Sequence, residues 1–254
     1  MSPTGPARAS ALAAQGEWTP PTGRRIRAIF NRLAKYFGPD LVPPRSVDPL
    51  DELILTVLSQ HTSDLNAERA FADLSATFPG GWQAIVDVPS GEVADAIRHG
   101  GLANSKAPRI QAILREIRDR EGAFDLTRLR GMGDDEARDY LMTLPGIGPK
   151  TAAVVLSFAL GRDAIPVDTH VHRVTKRLGL IPPKASAERA DRLLHDLVPD
   201  GLRTPLHVAL IRLGRAICKA PTPRCVQCPL KDLCPTSPRF LPGSQAVPRG
   251  VRTG

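Results

Sequence analysis

All four cysteines of this 254-residue chain fall between Cys218 and Cys234, spaced Cys218-x6-Cys225-x2-Cys228-x5-Cys234. Four thiolates in so short a stretch can close around one metal centre. Zinc would take them as four tetrahedral sulfurs, and an iron–sulfur cube also takes four cysteines. The spacing alone leaves both open. Disulfides are the poorer reading, because the chain carries no sign of export. Its N-terminal apolar run, Ala11 to Ala14, is too short for a signal-peptide core. Its most apolar stretch, Thr151 to Leu160, falls far short of the roughly 20 residues that span a bilayer. The expectation is a soluble cytoplasmic protein, monomeric and without a membrane partner (nucleoid-associated if bacterial).

The remainder reads as helix. Asp48-Pro49 pairs an N-cap with a proline at the first helical position. Leu50, Leu53, Ile54, Val57 and Leu58 then follow at helical spacing. A second helix is expected after Thr62 or Ser63 with Leu65, Ala70 and Leu74 inward. Gly80-Gly81 and Gly100-Gly101 punctuate two short helices, and a longer one is expected over about 105–120. Further helices read from Asp134 to Thr143 and from Thr204-Pro205 onward. No alternating strand and no repeat is visible, so the class is all-α. Residues 1–22 and 238–254 lack periodicity and are expected to be unstructured, the second tail basic. A net charge of +8 favours a polyanionic partner.

Two segments carry candidate chemistry. In Leu144-Pro-Gly-Ile-Gly-Pro-Lys150, Gly146 and Gly148 permit a tight turn at positive φ and bare their backbone amides. With the N-terminus of the following helix they make a hook for one phosphate. Lys150 stands in that helix's first turn, where a cation opposes the macrodipole at a cost of about 0.3–1 kcal/mol. A lysine amine in that place is a candidate nucleophile for attack on carbon. Eighteen residues on, Pro166-Val-Asp168-Thr-His-Val-His-Arg-Val174 places Asp168 as an N-cap. His170 and His172, at i and i+2, point to different helix faces and do not suit a shared metal.

These motifs, in this order, resemble the endonuclease III family of helix–hairpin–helix DNA glycosylases. The resemblance spans about residues 27–235. It rests on Leu58–Asp64, Gly101–Ala107, Leu144–Lys150 with Asp168, and the cysteine spacing. It implies two helical lobes gripping DNA. One is a multi-helix lobe over 43–162. The other is an iron–sulfur lobe made from 23–42 and 163–237. The cysteine spacing is similar to the family's loop for a 4Fe–4S cluster. That loop would aim Lys219 and Arg224, interleaved with the ligands, at phosphate.

Members with a lysine at position 150 use it as the nucleophile that displaces the base and forms a Schiff base with the sugar. The aspartate corresponding to Asp168 stabilises charge developing on the sugar. The family's gap-filling residue falls at His61, where glutamine is common, and its wedge at Leu102. The implied activity is that of a bifunctional glycosylase and abasic-site lyase. It would excise oxidised pyrimidines from duplex DNA and cut 3′ to the abasic site by β-elimination. A monofunctional adenine- or mismatch-type glycosylase and a non-catalytic lesion-binding protein are the alternatives.

Overall fold

A computed structural model describes residues 18–38, 41 and 48–242. Among them every regular element is helical, in keeping with the all-α reading. No described helix is long and apolar enough to cross a membrane. The chain divides into two compact units. One is Pro43–Ala164; the other combines Met1–Val42 with Ile165–Gly254.

In the second unit, α1 (Gly23–Phe37) is capped by Thr22, whose side chain accepts from Arg25 N. The first unit opens with α2 (Pro49–Ser59). Asp48 caps it by accepting from the amides of Leu50 (2.8 Å) and Asp51 (3.1 Å). The five apolar residues at helical spacing on α2 are all fully buried. In α3 (Asp64–Thr77), Ala67, Ala70 and Leu74 face the core. Leu65 does not; it is 75% exposed. Position 65 lies two residues from 67, about 200° round the helix, so one stripe cannot hold both.

The short helices α4 (Gly81–Asp87) and α5 (Ser90–Ala96) lead through a 3₁₀ turn, Arg98–Gly100, to α6 (Ala103–Glu121). Gly122 ends α6 in the left-handed region, and its amide returns to Arg118 O at 2.8 Å. α6 buries Ile110, Ile113, Leu114 and Ile117 along one stripe. α7 (Asp134–Met142) and α8 (Pro149–Val154), which continues as one π-helical turn over Val155–Ala159, flank the hairpin. Arg162 holds the turn before α7, donating to Leu129 O (2.6 Å) and Met132 O (2.7 Å).

The second unit continues with α9 (Thr169–Arg177), α10 (Ala187–Leu197) and α11 (Arg203–Ala216). Its core joins Ile26, Ile29 and Leu33 of α1 to Val171, Val174, Leu206, Leu210 and Leu213. Parts of both segments expected to be unstructured, 18–22 and 238–242, fall among the described residues. Residues 1–17 and 243–254 lie outside the described residues. Trp18, however, packs on this core and donates its indole N–H to Gly179 O at 3.2 Å. Ser237–Phe240 forms a 3₁₀ turn, with the Arg177 guanidinium 5.8 Å above the Phe240 ring. A core-packed ring holds the first segment and a surface Arg177–Phe240 contact meets the second, contacts that low periodicity does not exclude.

Candidate active site and DNA-facing elements

The first unit carries three loops of interest. The hairpin between α7 and α8 is pinned by Ile147, which is buried and whose amide donates to Leu144 O at 3.1 Å. Gly146 takes the expected positive φ, +71°. Gly148 does not: at φ −102° and ψ 178° it is extended, because it serves as the N-cap of α8. A Cβ on Gly148 would meet nothing within 4 Å, so its backbone faces open space. Lys150 follows Pro149 in the first turn of α8 and is exposed.

His61 and Leu102 occupy the other two loops, and they share a rare property. Among the described residues they alone are non-glycine residues at positive φ, +58° and +50°. For a residue with a Cβ this conformation costs about 1–2 kcal/mol. Both side chains are exposed, Leu102 at 59% despite being apolar. A strained backbone that presents an apolar side chain to solvent gains nothing for the fold. Lys106, by contrast, is buried, with burial foremost and Arg109 second pulling its ammonium below the ordinary lysine range.

In the second unit, Asp168 caps α9. Its Oδ1 accepts from Val171 N at 2.7 Å. Among the described residues no donor reaches its Oδ2. The side chain is half-buried, so one oxygen is committed and the other is free to act. The approach to Asp168 is fixed by His207, whose Nδ1 lies 2.8 Å from Pro166 O. His170 and His172 are both engaged. The first meets Arg173 Nη2 at 3.1 Å and packs against Gly214, and the second lies 2.9 Å from Ala185 O. A Cβ on Gly214 would come within 2.9 Å of His170 Nδ1, so the close approach of α9 to α11 requires glycine there.

The four cysteines line one largely apolar cavity with Val174, Leu178, Leu213 and Phe240. Burial pushes the Cys228 thiol up to about 11, with the other three thiols adding to the rise. Free thiolates are therefore disfavoured there, and a cationic centre would reverse that balance. No three His, Cys, Asp or Glu among the described residues converge closely enough for a single ion. Four thiols lining one cavity are the donor set that zinc or an iron–sulfur cluster takes. Lys219, Arg224 and Lys231 are exposed on this loop. Arg173 and Arg177 on α9 tie its start, donating to Cys218 O at 3.0 and 3.3 Å.

Residues 54–200 match the HhH-GPD superfamily of base excision DNA repair proteins. The chain belongs to this family. A relative from Arabidopsis thaliana, named as a DNA glycosylase, is 40% identical over 166 residues, 65% of this chain and 56% of that one. Thus the chain spans little more than half of that relative's length. Endonuclease III of Thermotoga maritima is 35% identical over 190 residues, which are 75% of this chain and 84% of that enzyme. A solved structure of a trapped endonuclease III–DNA covalent intermediate matches with a TM-score of 0.72 at 33% identity. It covers 85% of this chain and 97% of that one. By these relationships the chain is a base excision DNA glycosylase.

Proposed function

We propose that the protein is a bifunctional glycosylase and abasic-site lyase that acts on duplex DNA carrying oxidised pyrimidines. The observation that carries this reading is Lys150, an exposed amine in the first turn of the helix that follows the hairpin. Lys150 Nζ attacks C1′ of the damaged nucleotide, the C1′–N bond breaks, and the base leaves with a proton. Loss of a proton from nitrogen and opening of the sugar ring give a Schiff base. Removal of a 2′ proton then expels the 3′ phosphate by β-elimination. The Asp168 carboxylate stabilises positive charge on the sugar through Oδ2 and relays protons, while Oδ1 keeps α9 capped.

Extrusion of the target base leaves a gap. His61 fills it opposite the orphaned partner and Leu102 wedges the stack. Gly146 and Gly148 let the hairpin backbone approach one phosphate. Cys218, Cys225, Cys228 and Cys234 would hold a 4Fe–4S cluster, which in this role supplies a rigid tie for the loop. That tie orients Lys219 and Arg224 towards the DNA backbone. The proposed partner is DNA containing damaged bases or abasic sites, bound by a monomer in the cytoplasm.

Borohydride trapping on duplex DNA bearing an oxidised pyrimidine tests the nucleophile. Wild type gives a covalent adduct and Lys150→Ala gives none. An adduct that survives the substitution overturns the assignment. Base release without any adduct in wild type would indicate a monofunctional enzyme, and binding with no product a lesion-binding protein.

A further inference from the structure

Lys106 is 3% exposed, and its two oxygen partners are main-chain carbonyls. Its Nζ donates to Leu58 O at 2.6 Å and to Gly100 O at 2.7 Å. Leu58 O is among the last carbonyls of α2, which have no partner within the helix. Gly100 O ends the turn before Gly101-Leu102. His61 therefore follows one anchored carbonyl by three residues, and Leu102 follows the other by two. Charge-assisted bonds of this length are the strong kind, and burying an ammonium is costly unless such partners are in place.

One turn further along α6, Arg109 continues the pattern. Its Nη1 donates to Gln60 Oε1 at 3.1 Å. Its side chain also lies against the hairpin, since a Cβ on Gly146 would come within 3.0 Å of Arg109 Cδ and Nε. Positions 106 and 109 share a helix face. A single face of α6 thus touches all three loops that the proposed function places at DNA, and all three belong to the same compact unit.

We infer that Lys106 and Arg109 are positioning residues that lock the His61 loop, the Leu102 loop and the hairpin into one preset edge for opening a duplex. The locking explains how two residues stay at positive φ without glycine: the anchored carbonyls hold the backbone on either side of the strain. It also assigns Gly146 a second duty, to make room for the Arg109 side chain. The inference rests on the reading that His61 and Leu102 enter the duplex.

The discriminating experiment is single-turnover base excision from two substrates, the lesion in a duplex and the same lesion in a single strand. Insertion matters only where a partner strand must be held open. Lys106→Met is expected to slow duplex excision about 100-fold while single-strand excision stays within about 3-fold. Arg109→Met, at a half-buried position, is expected to shift the same ratio in the same direction, and it carries the test if Lys106→Met does not fold. Equal slowing on both substrates, or no change of the ratio in either variant, overturns the inference. His61→Ala and Leu102→Ala are run alongside. If neither alters duplex excision, the insertion reading itself fails, and the frame has nothing to position.

Discussion

Asp168 has two separable jobs, and two substitutions part them. Asp168→Ala removes the acceptor for Val171 N, a bond of 2.7 Å. Loss of such a cap costs about 1 kcal/mol. For a chain of this size that is a fall in Tm of about 2–4 °C. Asp168→Asn keeps an oxygen at the same place and gives up only the charge at the helix N-terminus. At a half-exposed site that is the low end of about 0.3–1 kcal/mol, hence roughly 1 °C. The reaction responds differently. Neither alanine nor asparagine supplies a negative charge to the sugar, so both should slow excision by about 10²–10³, or about 2.7–4 kcal/mol of barrier. Differential scanning calorimetry gives Tm, and single-turnover excision on saturating enzyme gives the rate without contributions from binding. Stability should recover in asparagine while the rate does not. If Asp168→Asn recovers excision along with Tm, the carboxylate is a cap and the proposed mechanism loses its charge stabiliser.

Glu52 on α2 offers a pH test of the fold. Burial lifts its carboxyl from 4.5 to about 6, opposed by the bond from Thr56 Oγ1. A folded-state value above the unfolded one means that the native state binds the extra proton, so stability is lost as pH rises from 4.5 through about 6. The shift sets an upper bound of about 2 kcal/mol, about 1 after allowing for partial exposure. Glu52→Gln should match wild type in urea unfolding at pH 4 and exceed it by about 1 kcal/mol at pH 7.5; a difference independent of pH would contradict this. For the cysteine site, purified protein should carry four irons per chain. Stripping them should weaken DNA affinity and open 218–234 to proteases, whereas stoichiometric zinc in an iron-free protein would refute the cluster.

Much of the architecture was readable because it rests on periodicity and on caps. Asp48-Pro49, the α2 stripe and the α6 stripe each declare themselves through spacing, and the structure places them as that spacing predicts. Leu65 misled because a leucine near a helix start attracts an inward assignment before the helix phase is known; Ala67, Ala70 and Leu74 set that phase instead. Gly148 misled for a related reason. Glycine permits positive φ but does not require it, and here the start of α8 demanded an extended residue. Trp18 lies in a stretch without a pattern, yet one large ring is enough to tie that stretch to a core.

What stayed hidden in the sequence follows a single physical logic. Lys106, Arg109, Arg173, Arg177 and His207 act mainly through contacts with main-chain oxygens or with a distant amide. A carbonyl is present at every position, so a cation that needs carbonyls has no sequence partner to reveal it. Only the fold decides which carbonyls are left over: those at the end of α2, at the turn before Leu102 and at Cys218. Helices leave such groups at their C-termini by construction. An all-helical protein that displays its chemistry on loops between helices therefore places that chemistry beside unpaired carbonyls, where a long cationic side chain can fix it. The motifs supply the groups proposed to react, and these unannounced lysine and arginine contacts hold the loops in shape for them.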